Sequence, residues 1–172
     1  PLMQNVLADM AVEVEAALAL GLRVAKAMDQ IDDPAEAALA RIGTAVAKYW
    51  NTKRCPSLVV EALECHGGPG YVEESIMPRL YREAPLNSIW EGSGNVQALD
   101  VLRVLSREPA AVDAFFDEVA LAGGRYDGSA AGLRSDLQDV DEGGARRLVE
   151  RMALVLQGSL LVQHAPSAVA DA

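Results

Sequence analysis

Apolar residues recur every three or four positions along most of the chain, the spacing that places them on one face of an α-helix. The first such stripe predicts a helix over residues 2–28, with Asp9, Glu13 and Lys26 on the opposite face. The stripe consists of Leu2, Val6, Leu7, Met10, Val14, Leu18, Leu22 and Ala25. Such a stripe is typical of a helix that packs one face against a protein core.

A second long helix is predicted to begin at Pro34 and to end at the glycines that follow residue 66. Asp32 and Asp33 end the first helix, and Asp33 then caps a helix with proline at its first position. The apolar stripe passes through Leu39, Ile42, Val46, Tyr49, Trp50, Leu58, Val59 and Leu63. Pro56 predicts a kink or a restart, because proline lacks the N–H that closes the preceding turn.

Shorter amphipathic segments fill the rest of the chain. They are predicted over residues 78–83, 109–122, 129–140 and 145–164, with one more helix that begins at Ser93 or Asn95 and runs to about residue 107. Pairs of glycines mark the joints at residues 123–124 and 143–144. Because no stretch alternates strictly, the predicted fold class is all-α, a bundle in which two long antiparallel helices pair with later helices.

Composition and charge exclude several kinds of protein. The chain has 172 residues, of which 51% are apolar, about the size of one ordinary domain with its own core. Its formal net charge is −10, and residues 107–172 carry six arginines against eleven acidic residues, a net of −5. Nucleic acid is therefore not an expected partner, because phosphate binding requires clustered basic residues. Charged residues interrupt every long apolar run, so no membrane-spanning segment is expected.

The spacing of the cysteines and histidines does not indicate a disulfide or a metal site. Cys55 and Cys65 lie ten residues apart and are predicted to be buried thiols, which fits a cytoplasmic protein. His66 and His164 lack ligand spacing and are interpreted as helix-end or surface imidazoles, so no metal site is expected. Pro1 is not a natural start, and we expect the chain to be a piece of a longer polypeptide.

Residues 67–95 contain most of the side chains that are unusual for a plain bundle. The glycines after His66 bring the backbone close to a phosphate or form a simple helix-ending turn. Arg79 to Glu83 either hold a loop by ion pairing or form a solvated helical face. Glu91 follows Trp90, whose indole would remove water from the carboxylate and favour its neutral form, as suits a general base. The alternative is a first-turn acid favoured by the helix dipole.

The stretch over residues 61–103, EALECHGGPGYVEESIMPRLYREAPLNSIWEGSGNVQALDVLR, resembles the C-terminal helical domain of acyl-CoA dehydrogenases. The shared features are a Gly-Gly-x-Gly-aromatic loop, an arginine-rich short segment and an aromatic-Glu-Gly-Ser element, with Tyr71 and Glu91 twenty residues apart. The sequence around Trp90 and the additional C-terminal helices are similar to those of the branch of that family that includes AidB. The resemblance implies a family bundle over residues 1–107 and a helical extension over residues 108–172 that packs on it.

The resemblance also implies roles for individual residues. Glu91 would be the catalytic base that removes the α proton of an acyl-CoA thioester while a hydride passes to FAD, and its backbone N–H would bond the thioester carbonyl. The expected cofactor-binding residues are Glu64, Gly67, Gly68, Ser93 and Asn95, and the expected substrate-binding residue is Gly92. Glu64 and Asn95 both stand where glutamine is common in the family. A carboxylate at Glu64 is unfavourable beside a diphosphate unless it points away or is paired.

The function implied by the resemblance is flavin-dependent α,β-dehydrogenation of an acyl-CoA, by a homo-oligomer that is a dimer or a tetramer. This piece alone is expected to be inactive and to bind FAD weakly or not at all. Two alternatives remain open at this point. The chain could belong to a DNA-associated protein of the alkylation response, which its acidic C-terminal part disfavours, or it could be a non-catalytic oligomerisation module.

Overall fold

The helical spacing of the sequence is realised in the computed structural model, which describes residues 1–171. The chain is 81% helical, and no strand occurs among the described residues, so the predicted all-α class is confirmed. The α-helices are α1 (Leu2–Asp29), α2 (Pro34–Cys65), α3 (Gly68–Tyr71), α4 (Met77–Glu83), α5 (Gly94–Arg107), α6 (Pro109–Ala120), α7 (Asp127–Asp136), α8 (Ala145–His164) and α9 (Ser167–Ala170). Two short 3-10 helices span Ala84–Ser88 and Gly123–Arg125.

The turn between α1 and α2 forms as the aspartates and the proline predict. The carboxylate of Asp33 accepts a hydrogen bond of 2.8 Å from the N–H of Ala35, and Pro34 is the first residue of α2. This cap satisfies an N–H group that has no partner inside the helix. The prediction of a restart at Pro56 is wrong, because α2 continues from Pro34 to Cys65 with Pro56 inside it.

The buried face of α1 differs from the stripe of large apolar residues. Ala16, Leu20 and Ala27 are buried, whereas Leu18 and Leu22 are more than half exposed. The helices pack closely through small groups. A Cβ on Gly43 of α2 would lie 3.2 Å from Val24, and Arg23 bridges α1 to its neighbours by ion pairs. Leu20 thus packs into the core, whereas Leu18 and Leu22 lie on the outer face of α1.

Helix α8 supplies much of the core and packs against α1, α2, α5 and α6. Its bounds agree with the predicted residues 145–164. A polar chain crosses this packing: the indole N–H of Trp50 donates to Gln157 at 3.0 Å, the Gln157 amide donates to Asn51 at 3.4 Å, and Asn51 donates to the Ala17 carbonyl at 3.0 Å. Each buried polar group thereby finds a partner, which sets the register of α1, α2 and α8.

A second polar cluster joins α1, α2 and α6. Arg23 forms ion pairs with Glu36 at 2.7 Å and with Glu118 at 2.9 Å, and only 6% of the Glu118 side chain is exposed. Burial lowers the pKa of Arg23, but hydrogen bonds from the arginine to both carboxylates outweigh burial and raise it. The cluster balances buried charges that would be costly if unpaired.

Helices α6 and α7 are shorter than the sequence pattern predicts. The segment predicted over residues 109–122 ends at Ala120, and the one predicted over residues 129–140 lies at Asp127–Asp136. Leu133 is the fully buried residue of α7, and the Arg134 guanidinium lies 3.7 Å from the centre of the Phe116 ring. These two interactions hold α7 against the core. The apolar residues beyond Asp136 lie outside the helix. None of the helices within residues 1–171 is both long enough and apolar enough to cross a membrane.

Candidate functional site

The end of α2 and the glycine segment form a tight corner. Helix α2 ends at Cys65, and Gly67 adopts a left-handed backbone with φ of 64°. The segment after it is not the plain loop that the glycines predict, because Gly68–Tyr71 forms a turn of helix, α3, against the end of α2. Gly70 is buried there, and a Cβ at this position would collide with the carbonyl oxygen of Leu63. A Cβ on Gly68 would meet no atom within 4 Å, so this stretch of backbone is open to an approaching group.

The arginines of α4 form two different pairs. Arg82 donates two hydrogen bonds, at 2.8 and 3.0 Å, to the carboxylate of Glu73 in the turn before α4. These bonds lower the pKa of Glu73 from its ordinary value. Arg79 pairs with Glu83 on its own helix at 2.9 Å. The loop-holding alternative therefore applies to Arg82, and the helical-face alternative applies to Arg79.

Glu91 lies in the turn that links the first 3-10 helix to α5. Its backbone is left-handed with φ of 54°, followed by Gly92 with φ of 102°. A left-handed conformation costs a non-glycine residue about 1–2 kcal/mol and is common at functional sites. The expectation that Trp90 removes water from Glu91 is not met within this chain, because Glu91 is exposed and the Trp90 side chain is 55% exposed.

Two side chains hold this strained turn by its carbonyl groups. Lys48 of α2 donates to the carbonyl oxygens of Trp90 at 2.6 Å and Gly92 at 2.8 Å. The Gln97 amide of α5 donates to the carbonyl of Glu91 at 3.2 Å. Each bond that involves a charged donor contributes about 1.5–3 kcal/mol, enough to offset the left-handed strain. Neither residue is predicted from the sequence, because a lysine and a glutamine on helices carry no signal for a contact with a distant turn.

The N-terminus of α5 presents two of the expected cofactor-binding residues. Of the two predicted capping residues, Ser93 occupies the capping position, but its hydroxyl makes no hydrogen bond to the helix, and Asn95 is exposed. Gly94 is buried, and a Cβ there would lie 2.5 Å from the Lys53 side chain. The hydroxyl of Ser93 therefore remains available to a ligand.

The structure separates the expected site residues into two groups. The Glu91 turn is attached to α2 at Lys48, whereas the glycine corner follows Cys65, seventeen positions later and roughly 25 Å along the helix axis. Glu64 belongs to the second group. It is exposed, forms no ion pair among residues 1–171, and lines a cavity of about 740 Å³ with Tyr71 and Arg82. One copy of the chain thus does not bring Glu91 and Gly67 together.

The cysteines and histidines lie at unremarkable positions. Cys55 and Cys65 are free thiols, but they are half-buried rather than buried. His66 caps the end of α2 with its ring nitrogen 2.7 Å from the Ala62 carbonyl, and His164 ends α8 at the surface. The described part of the chain contains no cluster of three or more histidine, cysteine or acidic residues that could hold a metal ion.

Comparisons with known proteins give consistent matches. A sequence model of the family described as "Acyl-CoA dehydrogenase, C-terminal domain" matches residues 1–106. AidB of Escherichia coli (strain K12), assigned by its description to the acyl-CoA dehydrogenases, is 41% identical over 100% of this chain and 32% of its own length. Acyl-CoA dehydrogenase family member 11 of Caenorhabditis elegans is 44% identical over 54% of this chain and 14% of its own length.

Solved structures include a similar fold. The crystal structure of Caenorhabditis elegans ACDH-11 in complex with C11-CoA matches with a TM-score of 0.84 and 30% identity, over 99% of this chain and 34% of that chain. The chain therefore spans about a third of the length of AidB and of ACDH-11. The helical arrangement described above is shared with a chain whose structure contains an acyl-CoA.

Proposed function

The chain belongs to the acyl-CoA dehydrogenase family as its C-terminal helical domain, and on this premise we propose that it forms part of a FAD-dependent acyl-CoA dehydrogenase. The observation that carries the proposal is the Glu91 turn. It holds an exposed carboxylate, without an ion pair or hydrogen bond among residues 1–171, on a strained backbone that two other helices fix. A strained turn that aims an unpartnered carboxylate outward is better suited to a reaction than to stability.

Glu91 would remove the α proton of an acyl-CoA thioester as a general base. Its backbone N–H has no hydrogen-bond partner among residues 1–171, so this donor is free for the thioester carbonyl. A donor at the carbonyl stabilises the negative charge that develops as the α proton leaves. Gly92, next in the chain, is the proposed substrate-binding residue, and a side chain there would crowd the turn, because a Cβ would lie 2.6 Å from the Gln97 amide nitrogen. FAD, when bound, supplies the acceptor for the β hydride.

The residues proposed to hold FAD fit that group. The backbone at Gly67 and Gly68 is open, because no atom lies within 4 Å of a Cβ built on either residue, and a diphosphate could approach it. Ser93 offers an unused hydroxyl, and Asn95 offers an exposed amide beside it. Glu64 is proposed to face away from the diphosphate, since it forms no ion pair among residues 1–171 that would neutralise the repulsion.

The chain is proposed to work within a homo-oligomer, a dimer or a tetramer. Large apolar side chains lie exposed on α1 and on the surface from α3 to α5, which is typical of surfaces that another protein surface covers. They include Leu7, Val14, Leu18, Leu22, Tyr71, Ile76, Ile89, Trp90 and Val96. The separation of the glycine corner from the Glu91 turn supports a site to which neighbouring copies contribute different residues. Burial of Trp90 in such an assembly would restore the water-poor surroundings that the base requires.

The division of the chain at residue 107 remains part of this proposal. It is supported by the end of the family match at residue 106. Residues 108–172 would be an extension whose helix α8 packs into the same core. Two free thiols support a cytoplasmic location, because reducing compartments keep cysteines unpaired.

The test is the Glu91→Gln variant of the longest polypeptide that contains this chain, purified with FAD. We expect flavin reduction by saturated acyl-CoA thioesters to be abolished while FAD content is retained, because the amide keeps the shape of the side chain but accepts no proton. Glu61→Gln, an exposed carboxylate on α2, is the matched control and should reduce flavin at the normal rate. Reduction at the normal rate in Glu91→Gln would place the base on another residue. The 172-residue chain alone is expected to show neither activity nor stoichiometric FAD uptake.

A further inference from the structure

Lys48 occupies an unusual position beneath the Glu91 turn. Its Nζ lies 2.6 Å from the carbonyl oxygen of Trp90, 2.8 Å from that of Gly92 and 3.5 Å from that of Asn87. A lysine has three N–H donors, and here its Nζ lies within hydrogen-bond distance of three main-chain carbonyl groups, two in the turn and one, that of Asn87, in the 3-10 helix before it. The side chain reaches this turn from a different helix, more than thirty-five residues earlier in the sequence.

The part of α2 that carries Lys48 is fixed in the core. Ala47 and Tyr49, the neighbours of Lys48 along α2, are both buried in the core. The Lys48 stem therefore starts from a fixed point, and only its end reaches the surface. The Tyr49 hydroxyl accepts a hydrogen bond of 3.2 Å from Arg146 of α8, which ties the same stretch of α2 to a third helix.

The turn needs such support because its backbone is not one that an L-residue adopts freely. Glu91 has φ of 54° and Gly92 has φ of 102°. The Gln97 amide donates to the Glu91 carbonyl, so the carbonyl groups of three successive residues, 90 to 92, all accept hydrogen bonds from outside the turn. Relaxation of Glu91 to ordinary φ would rotate its Cα–Cβ bond and break these contacts together.

We propose that Lys48 is a positioning residue for Glu91: it holds the turn left-handed so that the Glu91 carboxylate projects toward the substrate. This inference rests on the proposed function, in which Glu91 is the base. Lys48 itself touches no reacting atom, and its three bonds end on the backbone. Loss of these bonds leaves the carboxylate in the molecule but moves it away from the α carbon. A displacement of about 1 Å at a reacting group lowers rates on the order of 100-fold.

The experiment compares variants of the longest FAD-loaded polypeptide that contains this chain. Lys48→Met keeps the apolar stem and removes the donors, and Lys48→Arg restores several donors. We expect Lys48→Met to slow flavin reduction on the order of 100-fold with the acyl-CoA KM within about twofold and FAD content unchanged. Lys48→Arg should recover most of the rate. Lys26→Met, an exposed lysine of α1, controls for the loss of a positive charge and should react at the normal rate.

A merely structural role for Lys48 predicts a different pattern, in which the melting temperature falls, the rate of the properly folded fraction stays normal and arginine gives no rescue. Hydrogen exchange of the amides of residues 89–94 provides a readout that does not depend on activity, and it should accelerate in Lys48→Met but not in Lys26→Met. If Lys48→Met fails to fold, Gln97→Met, which removes the donor to the Glu91 carbonyl, takes its place in the same assays. Slow flavin reduction and faster exchange in Gln97→Met would then support the need for these carbonyl contacts, and normal values would overturn it.

The failure of this inference differs from the failure of the proposed function. Slow reduction in both Glu91→Gln and Lys48→Met supports the inference. Normal reduction in Lys48→Met together with slow reduction in Glu91→Gln overturns the role of Lys48 and leaves the base intact. Normal reduction in Glu91→Gln overturns the proposed function, and the role of Lys48 with it.

Discussion

The two glycines Gly68 and Gly70 stand two residues apart, yet the structure predicts opposite results when each is replaced by alanine. A Cβ on Gly70 would collide with the Leu63 carbonyl oxygen and would lie 3.0 Å from the Cβ of His66. Both obstacles belong to the end of α2, so no flexible side chain can move aside. A Cβ on Gly68 would meet no atom within 4 Å. The first change therefore distorts the corner, and the second leaves it undisturbed.

The size of each effect follows from the contacts. Overpacking against fixed atoms costs about 1–3 kcal/mol, and relief of the clash would also weaken the hydrogen bond from the Gly70 N–H to the Gly67 carbonyl at 2.9 Å. Gly68→Ala should stabilise the chain by about 0.4–1 kcal/mol, because alanine has fewer conformations to lose on folding. The two variants should thus differ by roughly 1.4–4 kcal/mol in the free energy of unfolding.

Urea unfolding of the 172-residue chain, followed by circular dichroism, measures this difference directly. The two variants are matched in composition, so any change in the slope of the transition would reveal an effect on the unfolded state instead. A Gly70→Ala chain as stable as the unchanged protein would refute the packing argument, and so would equal destabilisation by Gly68→Ala.

Gly68→Ala should weaken cofactor binding even though it is expected to stabilise the chain. In the FAD-loaded polypeptide, we expect Gly68→Ala to lower FAD affinity, because its Cβ would occupy the open space that the proposal assigns to the diphosphate. Full FAD affinity in Gly68→Ala would separate Gly68 from the cofactor site while leaving the stability argument unaffected.

Three further predictions concern the rest of the chain. Arg23→Met should cost about 3–5 kcal/mol in urea unfolding, because it leaves the buried Glu118 and its neighbour Glu36 without their cation, and a further Glu118→Leu change should recover part of this loss. The hydrogen bond from Arg41 lowers the pKa of Asp100, so the stability that Asp100 contributes should be present near neutral pH and fade as the pH falls below about 4, a dependence that Asp100→Asn should weaken in urea titrations. Finally, filter binding at low salt should show no retention of duplex DNA by the chain, since its net charge is −10, and retention would favour a nucleic-acid role.

Helix positions were predictable because they depend on local signals. The Asp33 cap, the glycines after His66 and the proline at residue 109 each act on backbone within a few residues of their own position, and the bounds of α1, α2, α5 and α8 agree with the sequence pattern within a residue or two. Pro56 shows the limit of a local rule. A proline inside a long helix removes one hydrogen bond, but here contacts along the rest of α2 keep the helix unbroken.

The candidate site was predictable as a set of residues but not as a geometry. The Gly-Gly-x-Gly and Trp-Glu-Gly-Ser motifs indicated Glu91, Gly67 and Gly68 as candidate site residues through a resemblance to a family. No pattern along the chain indicated that Glu91 is left-handed, that Lys48 and Gln97 hold its turn, or that Trp90 lies open. These features depend on which side chains of α2 and α5 meet the turn, and such meetings arise only after the helices pack.

The amino-acid sequence by itself determined that the chain is helical and where its long helices begin and end, because capping, periodicity and glycine act over a few neighbouring residues. Only the tertiary structure decided which face of α1 is buried and where the two halves of the site lie. Spacing of apolar residues defines a stripe but not its partner. Close packing at Gly43 and the ion pairs of Arg23 fix α1 with Ala16, Leu20 and Ala27 inward, so that Leu18 and Leu22 lie on the outside.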